Sequence, residues 1–183
     1  MREKGILVDA NDMEIGTEEK VAAHKKGLLH RAFSVFIFNK NGEALLQQRA
    51  TDKYHSGGLW SNACCSHPKP GETIHDASHR RLREEMGIVC RLKKAFHFIY
   101  KSALDQGLTE HELDHVFIGE FSGEVQPNPQ EVRDYKWIKI EELIHDLKEY
   151  PERYTIWFKL ALKETLQHPL LKSYKFQCLN LNL

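Results

Sequence analysis

The stretch PKPGETIHDASHRRLREEMGI, residues 68–88, admits few folded forms. Pro68, Pro70 and Gly71 mark a loop, and Thr73 with Asp76 three residues on has the form of a capping box. The spacing predicts a helix over Ile74–Met86, closed by Gly87 where a left-handed residue is wanted. Ile74, Ser78, Leu82 and Met86 recur every fourth residue and make one core-facing stripe. Arg81 and Glu85, also four apart, lie together along an edge of it. A one-sided helix needs a partner surface, and the flanking segments supply strands. RAFSVFIFNKNGEALLQQR reads as strands 32–38 and 44–49 around the turn Asn39-Lys40-Asn41-Gly42, an antiparallel hairpin. Further strands are predicted over 89–100, 112–121 and 132–138, a short helix over 140–147, and a longer helix over 154–166 with Trp157, Leu160, Ala161 and Glu164 along one side. Strands and helices alternate without strict βαβ regularity, which is a mixed α/β pattern. With 183 residues, no repeat and no linker composition, one domain over 1–183 is expected.

The charge balance removes some function classes. There are 26 basic and 26 acidic residues, so no global field favours nucleic acid or a membrane surface. Any bound anion must be held by a local cluster. No run of eighteen apolar residues occurs, and MREKGILVDANDME lacks the apolar core of a secretion signal, so a soluble cytoplasmic protein is expected.

The segment SNACCSHP, residues 61–68, raises a chemical question. Cys64 and Cys65 are consecutive, with Cα atoms about 3.8 Å apart, and an unstrained disulfide wants roughly 4.4–6.8 Å. Cys90 and Cys178 complete no C-x-x-C pair, so free thiols in a reducing compartment are expected. In an extended chain Cys65 and His67 share a face, as do Glu110 and Glu112 in TEHELDHVF. Each pattern is common by chance, and alternating carboxylates also suit a plain surface strand. His24 and His30 precede the first expected strand and are consistent with solvated histidines. Taken together, His24, His30, His67, Glu110 and Glu112 form a nitrogen and oxygen donor set that suits Mn²⁺ or Mg²⁺, with Zn²⁺ a further option. Whether they converge is a question for the structure.

Residues 66–88 resemble the Nudix box, G-x5-E-x7-R-E-U-x-E-E-x-G-U, through Glu72, Arg80, Leu82, Glu84, Glu85, Gly87 and Ile88. Ser66 stands for its first glycine, and Arg81 for a glutamate that helps hold catalytic metal in Nudix hydrolases. An unaided reading of Arg81 is a solvated helix residue. Over nearly its whole length the chain resembles type I isopentenyl-diphosphate Δ-isomerase, through EEKVAAH, LLHRAFSVFIFN, LWSNACCSHP, the altered box, FIYKS, TEHELDHVF and YTIWFKLAL in that order.

That resemblance implies a Nudix-like mixed sheet sandwiched between helices, and interconversion of isopentenyl and dimethylallyl diphosphate in isoprenoid biosynthesis. It implies a carboxyl acid at Glu112 assisted by Tyr100, a thiol or thiolate at Cys65 on the opposite face, and the π face of Trp157 for a tertiary carbocation. Cys64 becomes a packing thiol. The diphosphate maps to Lys20, Arg49, Lys53 and Arg81, and a second Mg²⁺ to Glu85 with substrate oxygens. Two rivals share the scaffold: a Nudix hydrolase of nucleoside diphosphate derivatives, against which Arg81 and Cys65 speak, and a non-catalytic metal or nucleotide sensor, against which Cys65 and Glu112 together speak.

Overall fold

The structure is a computed structural model that describes residues 3–174. The helix expected over Ile74–Met86 is α2, with those bounds. Thr73 caps it by accepting a hydrogen bond from the Asp76 amide at 3.1 Å, and Gly87 closes it at φ 68°. Ser78, Leu82 and Met86 are buried as the spacing requires, and Ala77 and Glu85 join them.

The central strand is β3 (His30–Phe38), followed by β4 (Ala44–Arg49). The expected hairpin pairs only at its closed end, Phe38 opposite Ala44. From there the two strands part. β4 pairs with β5 (Trp60–Asn62) and β9 (Val132–Ile138), while β3 runs parallel to β8 (Thr109–Glu120). The other edge of β3 meets β1 (Lys4–Val8) at His30, then β6 (Cys64–Ser66) at 33–35. β7 (Leu92–Ala103) closes the far side of β8 in antiparallel register. This is the mixed α/β sheet expected.

An N-terminal hairpin of β1 and β2 (Glu14–Glu19), followed by α1 (Lys20–Lys26), has no counterpart among the expected elements. β2 buries no residue and therefore carries no apolar alternation to read. The turn between the two strands is tied down by Asp12, at φ 65°, which accepts from Arg31 Nε at 2.6 Å and lies 3.0 Å from His115 Nε2.

Two apolar layers flank the sheet. Phe33, Val35, Ile37, Leu45, Cys64 and Phe117 pack with Leu82 and Met86 of α2. On the opposite face Phe36, Phe38, Val116 and Ile118 pack with α3 (Ile140–Glu149) and α4 (Ile156–Gln167). The face expected for α4 needs correction. Leu160 is 48 % exposed and Glu164 also faces water, whereas Trp157, Phe158, Ala161, Leu162, Thr165 and Leu166 are buried. The apolar residues at 157, 158, 161 and 162 give two adjacent stripes, so choosing Leu160 as the neighbour of Trp157 rotated the helix by one position.

Gly87 has a second reason to be glycine besides its dihedral: a Cβ there would stand 2.8 Å from the backbone oxygen of Gln126. Gly87→Ala is expected to lower stability by about 1–3 kcal/mol, read as a fall in the midpoint of urea unfolding. An unchanged midpoint would show that the 126 loop gives way freely.

Candidate active site

Strand register assembles the site. Tyr100 of β7 lies opposite Glu112 of β8, and Glu112 lies opposite His30 of β3, so three strands bring these side chains into one row. Glu110, Glu112 and Asp114 alternate along β8 and share the face on which α4 packs. On the other edge of β3, Cys65 lies opposite Ser34 and Cys64 opposite Val35. Cys65 lines the cleft with Tyr54, Glu110, Glu112 and Trp157, while Cys64 is fully buried in the layer under α2. The two thiols point to opposite faces, as expected. Cys64, Cys65 and Cys90 are all unpaired; Cys178 lies outside the described residues.

The histidines converge. His67 Nε2 lies 2.8 Å from Glu112 Oε1, with His30 Nε2 at 3.5 Å and His24 Nε2 at 4.0 Å from the same oxygen. His24 Nδ1 donates to the Lys20 carbonyl at 2.7 Å and His30 Nδ1 to the Leu28 carbonyl at 2.8 Å. A carbonyl only accepts, so each ring is protonated at Nδ1 and turns a lone pair inward at Nε2. His24 Nε2 is buried with no hydrogen-bond partner, and His30 Nε2 is 3.1 Å from His67 Nε2. Lone pairs crowded on a carboxylate repel unless a cation stands among them, and this donor set fits a divalent metal ion. The donors within 4.8 Å of one another fall into two sets that share His24: His24, His30, His67 and Glu112, then His24, His55 and Glu110. Glu110 thus stands slightly apart from the other expected ligands.

Tyr100 Oη is 2.7 Å from Glu112 Oε2 and 3.0 Å from Glu110 Oε2. The phenol has one hydrogen, so one contact requires a protonated carboxyl. Burial, then the neighbouring Glu112 charge, holds the Glu110 carboxyl well above the usual range. Burial pushes Glu112 the same way, but with protons in place of a metal ion on the facing nitrogens, His30 and His67 outweigh it and hold Glu112 low. Tyr100 thus spans two carboxyls that share a proton between them in the metal-free cleft. Burial, then Glu112, also raises the Asp114 carboxyl to about 8, against a 2.8 Å hydrogen bond from Ser34 Oγ. The Cys65 thiol is pushed up to about 12 by burial, partly offset by Arg49, and so is neutral in the free cleft.

A cationic end adjoins this row. Lys20, Arg49, Lys53 and Arg81 all line the cleft, as does Glu85. Arg81 pairs with Glu85 at 2.6 Å, Glu84 at 2.9 Å and Glu131 at 3.2 Å, and Lys53 also pairs with Glu131. Gln47 Nε2 donates to Glu85 Oε2 at 3.0 Å. Arg49 donates to the carbonyls of His55 and Ser56, and its guanidinium sits 5.2 Å from the Trp157 ring centre. Trp157 Nε1 donates to Ser61 Oγ at 2.9 Å. Of the expected site residues, all but Tyr100, His24 and His30 line the cleft, and those three stand behind Glu112. Sequence reasoning missed His55, Tyr54, Gln47 and Glu131, and only the His in KYHSGG carried a signal that a search for donor residues could have used.

Known proteins match this chain in sequence and in fold. The NUDIX domain model matches residues 28–158. "Isopentenyl-diphosphate Delta-isomerase 2" of Aromatoleum aromaticum is 50% identical over 166 residues, 91% of this chain and 88% of that protein. "Isopentenyl-diphosphate Delta-isomerase" of Pectobacterium atrosepticum is 53% identical over 156 residues, 85% of this chain and 87% of that one. Among solved structures, a Deinococcus radiodurans protein superposes with a TM-score of 0.68 at 17% identity, over 81% of this chain and 90% of its own. The MutT NUDIX hydrolase of Burkholderia pseudomallei superposes at 0.56 and 22% identity, over 74% and 96%. These two speak for the fold alone. On sequence, the altered box and the paired Cys65 and Glu112 rows, the chain belongs to the isopentenyl-diphosphate delta-isomerase family on a Nudix fold.

Proposed function

We propose that this protein interconverts isopentenyl and dimethylallyl diphosphate. The observation that carries the reading is a half-buried thiol, Cys65, lining the same cleft as Glu112, to which Tyr100 is bonded, beside a cluster of cations. A C=C bond moves when one proton is added at the terminal methylene and another is lost from the carbon next to the original tertiary centre. The species between is a tertiary carbocation, and no group is consumed.

Glu112 and Tyr100 form one proton-transfer pair in this reading, and Cys65 is the other group, reaching in from β6 on the far edge of β3. Trp157 presents a ring to the cation, and its edge is fixed by Ser61. Water must stay out, because it would quench the cation, and the burial of Glu112 and Tyr100 supports that requirement. Arg49, Lys53, Arg81 and Lys20 hold the diphosphate. The carboxylates already paired with Arg81 and Lys53 keep those cations aimed at the cleft before substrate arrives.

His24, His30, His67, Glu110 and Glu112 would hold one divalent ion, for which Mn²⁺, Mg²⁺ and Zn²⁺ all suit the donors, and Glu85 would hold Mg²⁺ with the substrate. Such ions neutralise diphosphate charge and orient the carboxylates. Among the described residues no helix is long and apolar enough to cross a membrane. The unpaired cysteines support a reducing cytoplasmic setting. A Nudix hydrolase remains the rival reading, and one assay separates them: incubation with isopentenyl diphosphate and Mg²⁺, followed by NMR for dimethylallyl product and by phosphate release. Product without phosphate release supports isomerisation, and release without product overturns it.

Cys65→Ala and Glu112→Gln should each lower kcat by roughly 10²–10⁴, the range for losing one acid–base group, with circular dichroism unchanged. Cys64→Ala should keep near-normal turnover, and a dead Cys64→Ala beside an active Cys65→Ala would reverse the faces. Arg81→Gln removes a charge-assisted contact worth about 1.5–3 kcal/mol, so KM should rise tenfold or more; an unchanged KM takes Arg81 out of the diphosphate site. His67→Gln should weaken retention of divalent metal by more than the roughly 10–100-fold that loss of a ligand's hydrogen-bond partner costs, measured by chelator competition and elemental analysis. Wild-type protein that stays metal-free and active in excess chelator would sink the metal assignment.

A further inference from the structure

Ser34 and Asp114 form a buried polar pair that the reaction just described does not use. Ser34 stands on β3, the strand between the two that carry the proton-transfer groups: β6 with Cys65 pairs along one edge, and β8 with Glu112 along the other. Cys65 lies opposite Ser34 and Glu112 lies opposite His30, so a substrate that meets both must cross β3. Ser34 is the β3 side chain on that path: it lines the cleft with Cys65, Glu112 and Trp157, while its neighbours Phe33 and Val35 alternate into the layer under α2.

The Ser34 hydroxyl is already committed. Its Oγ donates to Asp114 Oδ2 at 2.8 Å, and both residues are buried. A hydroxyl has one hydrogen and two lone pairs. With the hydrogen spent on Asp114, Ser34 has only lone pairs to turn to the cleft. Among the described residues Asp114 Oδ1 has no hydrogen-bond partner, so the carboxyl serves Ser34 alone. Burying a carboxyl is costly, and what this one does on the page is fix the direction of one hydroxyl.

We propose that Ser34, oriented by Asp114, stabilises the tertiary carbocation from the sheet side of the cleft, while the Trp157 ring faces it from α4. A fixed dipole aimed at the place where charge develops needs no reorganisation when the charge appears, and here its negative end meets a positive centre. Ser34 is then a catalytic residue and Asp114 a positioning residue. The inference rests on the isomerase reading of the cleft.

A pair of ligands of one shape tests it by binding alone: isopentyl diphosphate, which is saturated and uncharged at the branching carbon, and its analogue with a protonated tertiary amine at that position. Affinities are measured by calorimetry for wild type, Ser34→Ala, Ser34→Thr and Asp114→Ala, with isomerisation kinetics in parallel. Wild type should bind the amine more tightly than isopentyl diphosphate. Ser34→Ala should lose about tenfold or more of that preference and of kcat, at the low end of what removing one preorganised electrostatic group costs, with KM and isopentyl diphosphate affinity unchanged. Ser34→Thr keeps the hydroxyl and should restore both. Asp114→Ala frees the Ser34 hydrogen to turn toward the cleft and should also lose the preference, which keeps the test alive if Ser34→Ala does not fold. An amine preference that survives both alanine variants overturns the proposal and leaves the isomerase reading standing. So does a loss shared equally by the two ligands, the mark of a merely structural role, and so does a wild type that isomerises without preferring the amine. Wild-type protein that makes no dimethylallyl product overturns the isomerase reading and this inference with it.

Discussion

β3 and β8 lie parallel from His30 opposite Glu112 to Phe38 opposite Glu120, and the cleft depends on that register more than on any other contact. Side chains alternate across a strand, so a slip of one residue would turn Glu110, Glu112 and Asp114 toward α2 and bring His111, Leu113 and His115 into the cleft. The slip is opposed on both faces, because Phe117 is buried under α2 and Val116 and Ile118 under the α3 and α4 layer. Burying one such side chain is worth about 1.5–3 kcal/mol. Apolar packing at one end of β8 thus fixes the position of carboxyls at the other.

That position has an electrostatic cost, which the cleft handles by limiting charge. Three carboxyls on one strand face cannot all ionise in a buried site. Asp114 and Glu110 are raised by burial and by Glu112, and Glu112 alone is held low, by imidazoles from β3 and the segment after β6 against the effect of burial. The cationic end obeys the same rule in reverse: Glu131 stands between Arg81 and Lys53 and Glu85 pairs with Arg81, so the cations are held in place before an anion enters. The substitution of arginine for glutamate at position 81 converts one corner of a metal-holding helix into part of this cationic end. The helix itself is unchanged, since Arg81 projects from the edge of a stripe that Ser78, Leu82 and Met86 bury.

Much of the molecule was legible residue by residue. The helix α2 declared both its ends, because a cap and a left-handed glycine act on atoms within four residues. β4 and β9 were placed to the residue by their own apolar pattern. The N-terminal hairpin was not, since β2 buries none of its residues, and the face of α4 was misread by one position, since two adjacent stripes look alike until something packs on one of them. Glu131 was invisible: its value lies in meeting Lys53 and Arg81, 78 and 50 residues away by the count of the chain.

By itself the sequence determined the order of local elements and the inventory of chemistry: thiols at 64 and 65, carboxyls at 110 and 112, imidazoles at 24, 30 and 67, and an arginine where the box has glutamate. It also settled that Cys64 and Cys65 face apart, because period-two alternation is a property of the extended chain alone. Only the tertiary structure decided that these groups meet, that His55 and Glu131 join them, and that Glu110 stands apart from the set around His67. The reason is one of range: caps, turns and periodicity are set by neighbours along the chain, whereas a contact such as Ser34 with Asp114 spans 80 residues and exists only once β3 and β8 have found their register.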